Sequence, residues 1–134
     1  MPDPHRGLIY TMVLVSAVEQ RLGDSELQTI GDIVGHLPVF RNFERQSLAG
    51  LLNDCTELLS GDGGLEKTLD AIRGALPAKL RETAYAIACD LVASDGEATQ
   101  DELRILELIR HKLNVERLVA AAIERGARAR FQTV

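Results

Sequence analysis

The chain has 134 residues, a length that suits one domain, 1–134, built around one core. Of these, 46% are hydrophobic, mostly Leu, Ala, Ile and Val, with few aromatics and no Trp; that balance favours packed helices over a sheet. The formal net charge of -5 argues against a nucleic-acid partner, because sequence-independent binding needs a basic footprint.

The N-terminal residues Met1 to Arg6 lack the layout of a signal peptide. The first helix is predicted over His5 to Glu19. Its uncharged run, Leu8 to Val18, is 11 residues, too short to span a bilayer and suited to a buried core helix. A second helix starts near Asp24-Ser25-Glu26, carries Leu27, Ile30, Ile33, Val34 and Leu37 at helical spacing, and is ended by Pro38. The third runs from about Phe43 to Ser60, with a stripe from Leu48 through Leu51, Leu52 and Cys55 to Leu58 and Leu59. Gly61-Asp62-Gly63-Gly64 is a turn, and the fourth helix spans Leu65 to Leu76.

Pro77 suits the first turn of a fifth helix that ends near Ser94. Asp95-Gly96-Glu97 breaks it. Thr99 then caps a sixth helix, with Glu102 as its capping-box partner. Asn114 ends that helix, and Val115 to about Arg130 forms the seventh. Cys55 and Cys89, both on half-apolar helices, read as reduced buried thiols in a reducing compartment. The expected fold is therefore all-α, a compact bundle of about seven helices.

An internal repeat organises this bundle into two related helical hairpins. Glu19 and Asp95 are 76 residues apart, and so are Glu26 and Glu102. At the same offset Leu27 meets Leu103, Ile33 meets Ile109 and Leu37 meets Leu113. Each half has an apolar helix, an acidic turn and an amphipathic helix. Packed face to face, such hairpins bring their acidic turns together.

Those turns are the chemical feature of the chain. Asp95, Glu97, Asp101 and Glu102 surround one helix start, while Glu19, Asp24 and Glu26 surround the other. Clustered carboxylate oxygens are what a hard divalent cation needs. An EF-hand loop is excluded: with Gly96 at the sixth position and Glu102 at the twelfth, the first and third would be Leu91 and Ala93, which have no side-chain oxygen. A shared cation would therefore draw ligands from both turns. The competing reading is local, since acids near helix N-termini offset the macrodipole and cap the backbone.

At these residues the chain resembles the TerB-like tellurite-resistance family. The resemblance runs from about residue 8 to residue 126. It is carried by Leu8-Ile9-Tyr10-Thr11-Met12-Val13, by Leu80-Arg81-Glu82-Thr83-Ala84-Tyr85-Ala86 leading into Asp95-Gly96-Glu97, by Glu102-Leu103, and by a degenerate first copy at Glu19 to Leu27. It implies a non-enzymatic, bacterial, stress-response domain in the cytoplasm or peripheral to the inner membrane, where a protein partner would be met. It also implies a divalent metal ion, with calcium, magnesium, manganese and zinc as candidates and Glu19, Glu26, Asp95, Glu97 and Glu102 as ligands. The first copy departs from the pattern, with Glu19-Gln20 where the second has Asp95-Gly96.

Other chemistry finds less support. No Gly-x-Ser-x-Gly, Walker-type or dinucleotide-binding motif occurs. His5, His36 and His111 form no metal-ligand pair motif, and Glu107 with His111 suits an exposed ion pair. The last helix carries Arg117, Arg125, Arg128 and Arg130, either as favourable charge at a helix C-terminus or as a contact for anionic lipid or an acidic partner. The alternative to a metal-binding domain is a helical protein–protein interaction module, which predicts an exposed apolar groove.

Overall fold

The computed structural model describes residues 3–18 and 23–134. Seven α-helices follow one another: α1 (Pro4–Val18), α2 (Asp24–His36), α3 (Leu48–Ser60), α4 (Gly64–Ala75), α5 (Arg81–Ser94), α6 (Gln100–Lys112) and α7 (Arg117–Arg130). Short 3-10 turns at Pro38–Phe40, Arg45–Ser47 and Ala78–Leu80 link some of them. No strand occurs among the described residues. The expected all-α bundle is what forms.

Helix α1 is the hub. It has no charged residue after Arg6, and every residue from Gly7 to Ser16 is buried. It packs against α3, α4, α5 and α6. A helix apolar all round is stable only when neighbours cover every face, and these four do so. Its one buried threonine is satisfied within the helix, with Thr11 Oγ1 donating to Gly7 O at 2.8 Å. The side chains of Leu8, Met12, Val13, Ile30, Ile72, Tyr85 and Ile109 meet in the core around it.

Three helix starts differ from those the sequence predicts. Helix α3 begins at Leu48 rather than Phe43. Asn42 adopts a left-handed backbone (φ 72°), and the Phe43 ring packs edge-on against His5 with centroids 5.1 Å apart. His5 also stacks on Phe40 and places Nε2 2.9 Å from Val39 O, so this segment is fastened to the start of α1. Pro77 stands in extended backbone before a 3-10 turn, and α5 starts only at Arg81. Asn114 turns left-handed (φ 55°), Val115 is buried in the turn, and Glu116 caps α7 by accepting from Val119 N at 3.2 Å.

Helix α4 is tied to the end of α6. Arg73 Nη1 donates to Lys112 O at 2.5 Å, and the Lys112 ammonium pairs with Asp70 and lies 3.6 Å from Glu66. Helices α6 and α7 both lean on α5 without packing extensively on each other, so they diverge from the turn at Asn114 and leave a groove over α5.

Candidate functional site

The turn after α5 is built by local rules. Asp95 follows the last helical residue, and Gly96 takes a φ of 104°, which a side chain would resist. Thr99 in extended backbone then starts α6. Its Oγ1 accepts from Glu102 N at 3.1 Å, while Glu102 Oε1 accepts from Thr99 N at 3.0 Å. This is the reciprocal capping box that the sequence predicts. Glu102 is only 4% exposed and is the one buried charged side chain among the described residues.

The start of α2 is the counterpart. Gly23 is its cap, so no side chain bonds the first turn, and Glu26 occupies the position that Glu102 holds in α6. The Glu26 carboxylate folds back over the cap, with Oε2 3.3 Å from where a Gly23 Cβ would stand. Helices α2 and α6 keep one spacing, covering 24–36 and 100–112, an offset of 76 residues at both ends.

Glu26, at the start of α2, and Asp95 with Glu102, beside the start of α6, line a single cavity of about 10 Å3 between α1 and α5. Ser16, Thr29 and Ser94 add hydroxyl-bearing residues, and Val15 and Leu91, again 76 apart, form its apolar side. A space of this size holds one water or one small ion. All the polar side chains around it offer oxygen, which suits magnesium, calcium or manganese better than zinc with its nitrogen and sulfur preference. Glu102 brings only part of its carboxylate, since Oε1 is already turned to the Thr99 amide.

The expected ligands divide. Glu26, Asp95 and Glu102 line the cavity; Glu97 does not, and lines the groove over α5 instead. Gly96, with its positive φ, stands between Asp95 and Glu97, which line different cavities. Glu19 lies outside the described residues. Among the described residues, no three His, Cys, Asp or Glu side chains stand close enough together to hold a metal ion.

The groove over α5 is the larger feature, about 880 Å3. Cys89, Val92, Leu106 and Ala127 line it, and Leu103 and Phe131 are half exposed at its lips, at 52% and 43%. At its base Tyr85 Oη donates to Glu124 Oε2 at 2.5 Å. Burial pushes the Tyr85 phenol well above its usual range, and the bond to Glu124 adds to the shift. Burial also pushes the Cys89 thiol up to about 12. A thiol so held is protonated at neutral pH and is a poor nucleophile. No histidine lines the groove.

The alternative reading predicts an apolar groove, but its position over α5 was not read from the sequence, although one signal was present. Glu124 is four residues after Ala120 and three before Ala127, so it shares their buried face. No helix among the described residues is long and apolar enough to cross a membrane. Compared with family models, curated proteins and solved structures, the chain matches none.

Proposed function

We propose that this chain is a non-enzymatic stress-response domain of the TerB-like tellurite-resistance kind, whose junction of acidic turns takes up one small divalent cation. The observation that carries the reading is the shared cavity, which Glu26 at the start of α2 lines together with Asp95 and Glu102 beside the start of α6. The 76-residue offset of the flanking helices supports an internal duplication, with the cavity where the halves meet. Glu19 joins the ligand set by its position in the repeat. Glu97 stands outside that set.

Calorimetric titration of chelator-stripped protein with magnesium, calcium, manganese and zinc tests this reading. One equivalent of an oxygen-preferring ion is expected to bind, and Glu26→Gln and Asp95→Asn/Glu102→Gln are each expected to lose it. Gln at position 102 keeps a capping partner for Thr99, so helix α6 is retained. No heat with any ion would leave the acids as caps and dipole partners.

A second reading has its own observation. The groove with half-exposed Leu103 and Phe131 suits a helical interaction module, in which an apolar segment of a partner lies over α5. Binding of a protein partner that Leu103→Asp abolishes, with no ion response, would favour it.

A further inference from the structure

Helix α7 presents a face on which the chain's charge balance is reversed. Residues 117–134 carry four arginines and one glutamate, a local charge of +3 in a chain of -5, so the remaining residues carry -8. In the sequence, Glu116 and Glu124 dilute this basic character. In the fold Glu124 turns inward to Tyr85, while Glu116 stays exposed as the cap of α7 beside Arg117 and is engaged with the Val119 amide. The outer face is left with Arg117, Leu118, Ala121, Ala122, Arg125 and Arg128, all exposed.

Arg130 is held by Asp90, and Lys112 and Arg6 also have carboxylate neighbours. Among the described residues, no carboxylate pairs with Arg117, Arg125 or Arg128. Most Lys and Arg side chains among the described residues share this, since Arg6, Lys112 and Arg130 alone have such a neighbour there; Arg117, Arg125 and Arg128 differ in lying together on one exposed face of α7. The bonds from Tyr85 to Glu124 and from Arg130 to Asp90 fix a parallel register of α5 and α7. That register puts exposed Lys79, just before α5, at the same end of the bundle as Arg117.

We infer that the outer face of α7 is an adsorption surface for an anionic lipid bilayer. The face is convex and about 20 Å long, which suits a flat surface. Its apolar part is Leu118, 76% exposed, and a few alanines, too little for a hydrophobic protein interface. Electrostatic adsorption needs only the charge, each arginine near an anionic surface strengthening binding by about fivefold. The arginine stems lie along the interface with their guanidinium groups among the headgroups. The -8 on the rest of the molecule orients it, α7 downward. Adsorption is weak, reversible and screened by salt. It is independent of the cation reading.

The test is sedimentation of the full chain with phosphatidylcholine vesicles, with and without roughly 30% phosphatidylglycerol, at low and high salt. Binding is expected only to the anionic vesicles and is lost at high salt. Arg117→Gln/Arg125→Gln/Arg128→Gln is expected to lower partitioning by on the order of a hundredfold, with helicity and melting temperature unchanged. Arg41→Gln/Lys67→Gln/Arg104→Gln removes the same charge from exposed sites elsewhere and is expected to bind like the parent. Equal loss in both variants would assign binding to net charge and overturn the inference. So would absence of binding by the parent. Polyglutamate binding without vesicle binding would overturn it in favour of an acidic protein partner.

Discussion

Tyr85 and Glu124, 39 residues apart, are joined by a hydrogen bond of 2.5 Å that fastens α7 to α5. The bond sets which face of α7 looks inward, and so which residues are left for solvent. Tyr85→Phe removes the donor and leaves a half-buried carboxylate without its partner, at an expected cost of about 1–3 kcal/mol. Urea unfolding monitored by circular dichroism measures it. Tyr85→Phe/Glu124→Leu is expected to recover most of the loss, because both polar groups go together. A double variant no more stable than the single one would contradict this account.

The two thiols make the fold sensitive to alkali. Burial pushes Cys55 and Cys89 up to about 12 from 9.0. Below pH 9 both states keep their thiol protons, and the stabilisation is fully present. Between 9 and 12 the unfolded chain ionises while the folded one resists, so stability falls as pH rises. The loss is at most about 1.4 kcal/mol per pH unit for each thiol. Melting curves across this window are expected to flatten in Cys55→Ala/Cys89→Ala. A thiol reagent at neutral pH is expected to label neither cysteine until the chain unfolds, and rapid labelling of Cys89 in the folded protein would count against the burial argument.

Thr99 and Glu102 hold the start of α6 by two reciprocal bonds. Thr99→Ala is expected to cost about 1 kcal/mol and Thr99→Ser much less, since serine keeps the accepting oxygen. Glu102→Ala should exceed both in chemical denaturation, because it opens a cavity as well as losing the bond. Equal stability of Thr99→Ala and the parent would show that the box contributes nothing to holding α6.

Gly64 begins α4 where the chain doubles back on α3. A Cβ built there would lie 2.1 Å from the backbone oxygen of Leu59. Backbone cannot yield as a side chain can, so Gly64→Ala is expected to shift α4 and lower stability by more than about 2 kcal/mol. Gly74, with nothing near its Cβ position, is the control. Gly74→Ala is expected to be neutral or stabilising through helix propensity. Thermal melts of the two variants separate these expectations.

The helices were legible because each leaves a mark in the sequence. The uncharged run in α1 marks burial on every side, and the stripe Leu51, Cys55 and Leu58 marks one face of α3. That Glu26, Asp95 and Glu102 line one cavity is in keeping with their places at the 76-residue offset. The starts of α3, α5 and α7 were less legible. There, Asn42 and Asn114 chose left-handed backbone, and Phe43 chose an aromatic partner far away in sequence. Those choices depend on neighbours brought by folding. That Glu97 lines the groove and not the small cavity also escaped the sequence, because it follows the positive-φ backbone at Gly96.

The placement of α1 carries a further consequence for how the chain comes to be folded. Its neighbours include α3 and α4 from the first part of the chain and α5 and α6 from the second. Neither hairpin therefore closes an interior of its own, whatever their kinship in sequence. A fragment ending before α5 would leave one side of α1 facing water. The chain is thus expected to melt in a single transition and to tolerate no division before α5 into autonomous pieces.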